Sequence, residues 1–425
     1  MKIFLDSIGC RLNQSEIERF ATQFRAAGHT IVDSAGEAEL VVVNTCTVTS
    51  AASADSRQKI RQAARLGAAE IVVTGCWSTL EPDSAAVLPN VRRVVSNLDK
   101  DHLVADVLGV AVEDFDLEPV AREPLPGIHL RTRAFIKTQD GCDNHCTFCI
   151  TRIARGPGRS ETIQAVLSDI QHAQSGGTRE VVLSGVHLGS WGYDLSPRMH
   201  LRDLIQAILQ DTDVERLRLS SLEPWDLDED FFQLWENQRL CRHLHLPLQS
   251  GCGQTLHRMA RHTNPSAFRQ LIASAREAAP GMAVTTDLIV GFPGEDDNEF
   301  AESLAFVEEM EFAGGHVFSY SARPGTPAVR LNNPVSGTVA HRRSEQMRQV
   351  LAVSSTLFRE QHLGSEASVL WEATNTYGPA GWKLHGLTDN YLKVEVHSPR
   401  RLWNQISRVR LDRLTDQGLT GSLIE

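Results

Sequence analysis

The pattern that most limits the possible folds is a repeated alternation of strand-like and helix-like segments. Near the amino terminus, helical patterns separate four strand-like runs, of which the second and third are the most apolar and the first is weaker. These runs occupy 2–10, 40–46, 71–76 and 91–97. The first helix is expected after a cap at Asn13 or Ser15 and should end at Gly28, and the second is expected at 55–67. This alternation predicts a small open parallel sheet covered by helices.

A second and longer alternation follows. Its six strand candidates lie at 134–138, 180–185, 216–221, 243–249, 283–292 and 316–321. Helical patterns separate them, and one of these, at 161–174, should end at Gly176 and Gly177. Six successive strand–helix units predict a partial (β/α)6 barrel, with its active site at the carboxyl ends of the strands.

Two other segments differ in character. Residues 99–130 are acidic and proline-rich, which predicts an interdomain linker. From about residue 364 the chain alternates short strands with turns, as expected of a small all-β barrel. The predicted fold is therefore α/β with a terminal β-barrel. We expect domains at 1–115, 128–358 and 361–425.

Composition restricts the class of protein. The 425 residues carry a formal net charge of −11, which disfavours attraction of the whole surface to nucleic acid but leaves room for local basic patches. We find no signal-peptide pattern and no apolar stretch long enough to cross a bilayer, so we expect no membrane association and a cytoplasmic location. In a reducing cytosol, the eight cysteines are expected to be ligands or catalysts rather than disulfides.

Cys142, Cys146 and Cys149 lie close together directly after a predicted strand. Three thiolates in so short a loop can surround one metal centre, and thiolates suit iron–sulfur clusters and zinc. A cubane cluster needs four ligands, so one iron would be open to a small molecule. Zinc with His145 as a fourth ligand is an alternative, although His145 adjoins Cys146. Three unrelated core thiols are another.

Cys10, Cys46 and Cys76 are distant from one another in sequence, yet each lies at or just beyond the end of a predicted strand. The ends of parallel strands share one edge of a sheet, where ligands collect, so these three thiols could converge. Chance burial of three cysteines at strand ends is the competing interpretation.

At this point the motifs resemble a known family. The segments FIKTQDGCDNHCTFCITRIARGPGRS, LSGVHLGSWG, RLSSLEP, LHLPLQSGC and TTDLIVGFPGE are similar to those of radical S-adenosylmethionine (SAM) methylthiotransferases. The resemblance implies that SAM binds the open iron of a [4Fe–4S] cluster on Cys142, Cys146 and Cys149 and is cleaved reductively to a 5′-deoxyadenosyl radical. It also implies a second [4Fe–4S] cluster on Cys10, Cys46 and Cys76, where the transferred sulfur is held.

The resemblance extends to the substrate. The terminal module is similar to the TRAM domain, which binds RNA. The segments GCRLNQSEIE and FSYSARPGTPA look most like those of threonylcarbamoyladenosine tRNA methylthiotransferases. The implied partners are the anticodon loop of tRNA, an electron donor such as flavodoxin or ferredoxin, and a sulfur source. Isopentenyladenosine in tRNA and a ribosomal-protein aspartate are alternative substrates. A non-catalytic, zinc-bearing RNA-binding protein is the alternative of another class.

Other candidates follow the predicted strands. Those proposed to bind SAM are Gly185, Ser221 and Glu223, and further rim candidates are Ser184, Val186, Ser220, Gln249, Asp287, Tyr320 and Arg323. No residue is singled out as catalytic. Cys241 and Cys252 are interpreted as structural. Two basic groups could bind phosphates. The first comprises Arg131, Arg133, Lys137, Arg152, Arg155 and Arg159, and the second comprises Arg400, Arg401, Arg408, Arg410 and Arg413.

Overall fold

The structure is a computed structural model that describes residues 1–110, 132–379 and 381–424. No helix within these ranges is long and apolar enough to span a membrane. The chain forms two compact units, which are described separately. The first comprises Met1–Asn144, Ile150–Gly176 and Ser184–Val186, and the second comprises His145–Cys149, Gly177–Leu183 and His187–Glu425.

The first unit contains a five-stranded, wholly parallel sheet. Its strands are β1 (Lys2–Ser7), β2 (Thr30–Ile31), β3 (Leu40–Thr45), β4 (Glu70–Gly75) and β5 (Val91–Val94). They lie in the order β2-β1-β3-β4-β5. Every residue of the central strand β3 is buried, as expected when helices cover both faces of a sheet. The predicted amino-terminal parallel sheet is confirmed.

Five helices accompany this sheet. They are α1 (Arg11–Ala26), α2 (Ser50–Arg65), α3 (Cys76–Leu80), α4 (Pro82–Ala86) and α5 (Leu103–Leu108). Phe20 of α1 and Leu103 of α5 pack with Val42 on one face of the sheet. Ile60 of α2 and Trp77 of α3 pack on the other face. The two apolar clusters fix the register of β3, because neighbouring residues of a strand point to opposite faces.

Two predictions for this unit are wrong. Helix α1 begins at Arg11 with Cys10 in the capping position, and not after Asn13 or Ser15, because the Asn13 amide instead bonds buried backbone carbonyls. The linker predicted at 99–130 is helical in its first part, because Leu103 of α5 is apolar and packs onto the sheet. The remainder, from residue 111, lies outside the described residues.

A second series of strands and helices follows. The strands are β6 (Arg133–Lys137), β7 (Gln139–Asp140), β8 (Arg159–Ser160), β9 (Glu180–Ser184), β10 (Arg216–Leu219), β11 (His243–His245), β12 (Ala283–Val290) and β13 (Gly314–Ser319). The helices are α6 (Thr151–Arg155), α7 (Ile163–Ser175), α8 (Leu201–Asp211), α9 (Glu229–Phe232), α10 (Gly253–Arg258), α11 (Pro265–Ala278), α12 (Asp297–Met310) and α13 (Gly337–Glu360).

In the second unit, the strands that precede the terminal segment pair in parallel. Strand β10 pairs with β9, and β12 pairs with both β11 and β13. A parallel bridge between Ser221 and His245 links the end of β10 to β11. The run predicted at 243–249 is a strand only as far as His245, because Pro247 lacks a backbone donor. The parallel architecture predicted for this region is confirmed.

The carboxyl-terminal segment forms a closed five-stranded barrel. Its strands are β14 (Glu366–Gly378), β15 (Gly381–Thr388), β16 (Lys393–Ser398), β17 (Ile406–Leu414) and β18 (Leu419–Leu423). Their order is β14-β15-β16-β18-β17. Strand β18 was not predicted, because the sequence LTGSL has few of the branched residues that mark strands. The predicted all-β module is confirmed.

Arginines at the beginning of β10 attach this barrel to the parallel strands. Arg216 donates to the carbonyl of Ser368 at 2.6 Å, and Arg218 donates to the carbonyl of Asp389 at 2.8 Å. Arg218 also forms a fully buried ion pair with Glu180, at 2.6 Å. The barrel therefore lies at the amino ends of these strands, opposite the carboxyl ends where parallel α/β proteins bind ligands.

Candidate active site

Three cysteines follow three neighbouring strands of the first sheet. Cys46 comes directly after β3 and Cys76 directly after β4, and the last residues of these strands, Thr45 and Gly75, lie side by side. Cys10 follows β1, the neighbour of β3 on its other side. Burial raises the pKa of the Cys46 thiol to about 11, and the nearby thiols of Cys10 and Cys76 act in the same direction. The structure thus brings all three cysteines to one edge.

Glycines make this close approach possible. Gly9 and Gly75 directly precede Cys10 and Cys76, and both have a φ of +100°. A β-carbon added to Gly9 would lie 2.5 Å from the sulfur of Cys46, and one added to Gly75 would lie 2.3 Å from the backbone oxygen of Thr45. Only glycine meets both the dihedral and the space requirement. The backbone can therefore turn sharply where each strand ends.

A buried arginine connects this edge to α6, the helix that follows the loop carrying Cys142, Cys146 and Cys149. Arg155 donates to Glu16 at 3.0 Å, to Asp140 at 2.8 Å and to Asn13 at 2.6 Å. The same Asn13 oxygen lies 3.7 Å from the sulfur of Cys10. Burial raises the pKa of the Cys10 thiol, and the positive charge of Arg155 opposes this rise.

Glu16 is the anion at the centre of this network. Its carboxylate accepts from Lys100 at 2.7 Å and from Asn44 at 2.8 Å, in addition to Arg155. Burial opposes ionisation of Glu16, but Arg155 and Lys100 outweigh it and hold its pKa well below the ordinary value. Removing one partner from such a buried group leaves an uncompensated charge, which costs about 3–5 kcal/mol.

The first basic group is only partly available for phosphates. The prediction is wrong for Arg155 and Lys137, because both are buried and paired with carboxylates, Lys137 with Asp101 at 3.0 Å. Arg159 is partly exposed and lies 3.7 Å from Asp140. Arg131 lies outside the described residues.

The loop between β7 and α6 carries Cys142, Cys146 and Cys149. Cys142 belongs to the first unit, where its sulfur accepts from the backbone N–H of Asn144 at 3.4 Å. Cys146 and Cys149 belong to the second unit. Thr147, between them, donates its backbone N–H to Met259 at 3.0 Å and accepts from Ala328 at 2.9 Å. All three cysteines are half-buried.

Arg261 lies beside Cys146 and was not predicted. It donates to the Cys146 sulfur at 3.7 Å, to the two carboxylate oxygens of Glu223 at 3.1 and 2.6 Å, and to the carbonyl of Pro247 at 2.6 Å. Its guanidinium also stands 4.5 Å from the ring centre of Trp225. Burial raises the pKa of Cys146 to about 11, and the charge of Arg261 opposes this rise.

The residues predicted to bind SAM lie at the ends of strands. Ser221 and Glu223 follow β10 in the second unit, and Gly185 follows β9 in the first. Glu223 is engaged by Arg261. The hydroxyl of Ser220 is buried without a hydrogen-bond partner in the described part of the chain. The hydroxyl of Ser220 and the carboxylate of Glu223 are thus polar groups at the carboxyl end of β10, where parallel α/β proteins bind ligands.

The further rim candidates have different surroundings. Asp287 accepts from His316 at 3.1 Å and lies 3.3 Å from His245. Burial raises the energy of its charge, but these two histidines hold the pKa of Asp287 well below its ordinary value. The backbone of Gln249 has a φ of +71° and bonds that of Asp287. The hydroxyl of Tyr320 has no partner among the described residues.

Cys241 and Cys252 are both buried. Burial raises the pKa of Cys241 to about 12, and Cys252 donates to Glu302 at 3.2 Å. Neither follows a strand at the edge that carries Cys10, Cys46 and Cys76. Their structural role stays a prediction.

Comparison with known proteins identifies the family. Residues 2–96 match uncharacterized protein family UPF0004, and residues 136–307 match the radical SAM superfamily. The threonylcarbamoyladenosine tRNA methylthiotransferase MtaB of Bacillus subtilis (strain 168) is 33% identical over 419 residues, covering 95% of this chain and 92% of that protein. This chain belongs to the radical SAM methylthiotransferase family.

Other relatives are consistent with that membership. The tRNA-2-methylthio-N(6)-dimethylallyladenosine synthase of Clostridium tetani (strain Massachusetts / E88) is 29% identical over 439 residues, covering 98% of this chain and 95% of that protein. The solved radical SAM methyltransferase TsrM of Kitasatospora setae has a TM-score of 0.59 at 15% identity, covering 88% of this chain and 79% of that one. At that identity, the likeness shows the fold alone.

The donor sets of this methylthiotransferase fit iron–sulfur chemistry. The radical SAM superfamily uses SAM and a [4Fe–4S] cluster. Within the described ranges, no three or more His, Cys, Asp or Glu side chains are grouped to hold a single metal ion. Thiolates are the usual ligands of [4Fe–4S] clusters, and each cysteine group supplies three free cysteines. In each cysteine group, one sulfur also accepts from a side-chain N–H: Cys146 from Arg261, and Cys76 from Asn97.

The sequence contained only a weak signal for these donors. Asn97 ends the strand-like run 91–97, and a polar residue at the end of a fourth parallel strand points to the edge that carries Cys76. Arg261 lies beyond α10 and far from the cysteine loop in sequence, so its spacing carries no signal.

We expect Glu16→Gln to destabilise the methylthiotransferase by about 3–5 kcal/mol at neutral pH, because Lys100 and Arg155 lose their anion. The pKa of Glu16 is lower in the folded state than its unfolded value of about 4.3. Its charge therefore stabilises the fold above that pH, and the stabilisation is lost as the pH falls below it. The variant should lose less stability than the wild type between roughly pH 5 and pH 2.

Thermal unfolding midpoints measured across this pH range test the expectation. Glu37→Gln is the matched control, because Glu37 is exposed and should leave both the midpoint and its acid slope unchanged. An acid slope in Glu16→Gln equal to that of the wild type would contradict the assigned role of Glu16.

Proposed function

We propose that this chain is a tRNA methylthiotransferase that converts N6-threonylcarbamoyladenosine next to the anticodon into its 2-methylthio derivative. The observation that carries the proposal is the placement of Cys10, Cys46 and Cys76 at one edge of a sheet, in a chain that also has the CxxxCxxC loop. The similarity to the Bacillus subtilis enzyme over nearly its whole length supports the choice of nucleoside.

In this proposal each cysteine group holds one [4Fe–4S] cluster. Cys142, Cys146 and Cys149 are the ligands of the first, and Cys10, Cys46 and Cys76 are the ligands of the second. Three thiolates leave one iron of each cubane without a protein ligand. When bound, the first cluster and SAM supply the reductive chemistry, and the second holds the sulfur that is transferred.

The protein's own residues orient these groups. Gly185, Ser221 and Glu223 are proposed to contact SAM. Arg261 fixes the carboxylate of Glu223 through two hydrogen bonds, and a bidentate pair of this kind holds both position and orientation. The protein thereby positions the cofactor and shields it from water, while the cofactor carries the difficult chemistry.

The terminal barrel is proposed to be a TRAM domain that binds the tRNA. An exposed aromatic group supports this role. The side chain of Tyr377 is 69% exposed, its ring lies 5.2 Å from that of Trp382, and Arg401 stands 5.8 Å from the Trp382 ring. Aromatic rings next to arginine are the usual platform on which unpaired bases stack. The loop of an anticodon arm presents such bases.

The remaining features are also proposals. Domain limits of 1–115, 128–358 and 361–425 assign one role to each part of the chain. A flavodoxin or ferredoxin would donate electrons, a separate sulfur source would replenish the transferred atom, and the enzyme would work in the cytoplasm. Isopentenyladenosine is the second candidate nucleoside, because the Clostridium tetani relative is also similar over nearly its whole length. No observation in the described residues favours a ribosomal-protein substrate or a zinc protein without catalysis.

Nucleoside analysis tests the substrate. We expect tRNA from a deletion strain to lack 2-methylthio-N6-threonylcarbamoyladenosine and to accumulate N6-threonylcarbamoyladenosine, which has no methylthio group. Mass spectrometry of digested tRNA measures both, and a plasmid copy of the gene is the control. Unchanged methylthio-threonylcarbamoyladenosine with loss of the methylthio-isopentenyl nucleoside would move the assignment to the second candidate.

Cysteine variants test the division of roles. Cys146→Ala should abolish formation of 5′-deoxyadenosine, because the cluster that cleaves SAM loses a ligand. Cys46→Ala should still cleave SAM without coupling and should form no methylthio product. Cys252→Ser, which keeps a donor for Glu302, is the control and should both cleave SAM and form the methylthio product. The same cleavage defect in Cys146→Ala and Cys46→Ala would refute separate roles for the two groups.

Substitutions in the barrel test RNA binding. Tyr377→Ala and Trp382→Ala should each weaken binding of an anticodon stem-loop by about 1–3 kcal/mol, the value of one stacked base. Fluorescence anisotropy at fixed salt measures the affinity. Arg410→Ala is the control for loss of charge alone, since Arg410 is paired with Asp412, and its loss of affinity should be smaller. Equal losses in all three variants would argue against stacking.

A further inference from the structure

Asn97 is a buried amide at the same sheet edge as Cys10, Cys46 and Cys76. It follows β5, the neighbour of β4, and only 2% of its surface is exposed. Its side-chain nitrogen donates to the sulfur of Cys76 at 3.6 Å and to the backbone oxygen of Ala154 at 2.8 Å. One side chain thus joins Cys76 to α6.

The bond to Ala154 decides which way the amide points. A backbone carbonyl can only accept, so the nitrogen and not the oxygen of Asn97 must face it. The second N–H is then directed to the sulfur of Cys76. The oxygen of Asn97 has no hydrogen-bond partner among the residues described here. Leaving this buried oxygen unpaired is unfavourable. The amide keeps its orientation because its nitrogen donates to two acceptors, the sulfur of Cys76 and the carbonyl of Ala154.

The backbone of Asn97 is tied to the turn that carries Cys76. The hydroxyl of Thr79 accepts from the backbone N–H of Asn97 at 2.9 Å and donates to the carbonyl of Gly75 at 2.8 Å. Thr79 belongs to α3, the helix that Cys76 begins. The distance between the amide and the sulfur is therefore fixed by both the backbone and the side chain.

We propose that Asn97 is a positioning residue of the second cluster, and that its N–H···S bond to Cys76 raises the midpoint potential of that cluster. The inference rests on the proposed function, since it requires a cluster on Cys10, Cys46 and Cys76. Reduction adds negative charge that spreads onto the ligand sulfurs, and a donor fixed beside one of them stabilises the reduced form. Because the amide of Asn97 is neutral, it donates to the sulfur of Cys76 without adding the net charge that a lysine or arginine would bring.

The test uses the full-length protein in which Cys10, Cys46 and Cys76 remain and the other proposed cluster ligands are removed. Its background carries three substitutions, Cys142→Ala, Cys146→Ala and Cys149→Ala. After anaerobic reconstitution, iron analysis counts the cluster, and electron paramagnetic resonance during a redox titration gives its midpoint potential. Asn97→Asp and Asn97→Leu, both close to asparagine in size, are then introduced separately. Ser96→Ala is the matched control, because Ser96 adjoins Asn97 but bonds Asp99.

We expect both Asn97 variants to retain the cluster with a lower midpoint potential, Asn97→Asp most strongly because it adds an anion. The hyperfine coupling of one exchangeable proton should disappear in both, and Ser96→Ala should match the background. Unchanged potential and coupling in the Asn97 variants, with iron retained, would overturn the role of Asn97. Absence of any cluster from the background protein would instead overturn the proposed function, so the two failures are distinguishable.

Discussion

The buried charge of Arg155 is the constraint on which much of the first unit depends. A guanidinium removed from water must be matched by anions and acceptors, and here these come from Glu16, Asp140 and Asn13. Glu16 and Asn13 belong to α1, which follows Cys10, whereas Arg155 ends α6, which follows the CxxxCxxC loop. Pairing this one charge therefore fixes where both segments lie. Apolar packing alone would allow either helix to slide, because dispersion and burial carry little directional information.

The backbone architecture was largely predictable, and the reason is visible in particular strands. β3 and β4 contain continuous runs of valine preceded by leucine or isoleucine and followed by polar residues, so their type and limits are set locally. Parallel pairing then requires their carboxyl ends to share an edge. This is why the positions of Cys46 and Cys76 at strand ends predicted that they could converge, although more than two dozen residues separate them.

Long-range polar contacts were not predictable. Asn13 or Ser15 was expected to cap α1, but the Asn13 amide donates to the carbonyls of Ile8 and Thr45, and Cys10 takes the capping position. Lys137 and Arg155 were counted as a cationic surface, yet both are buried in ion pairs. In each case the sequence indicated that the side chain would form polar contacts. The partner was not predicted, because tertiary packing brings it from a distant part of the chain.

Two side-chain N–H···S donors, Asn97 and Arg261, differ in a way that matters for the electrostatics of each cysteine group. Asn97 is neutral, so beside Cys76 it contributes a dipole and no net charge. Arg261 is cationic, but its bidentate pair with Glu223 cancels most of that charge at the distance of Cys146. Each sulfur is therefore met by a directed N–H from a group that itself brings little net charge. Such an arrangement stabilises thiolate ligands through direction and distance, which buried groups can hold, rather than through net charge, which burial makes costly.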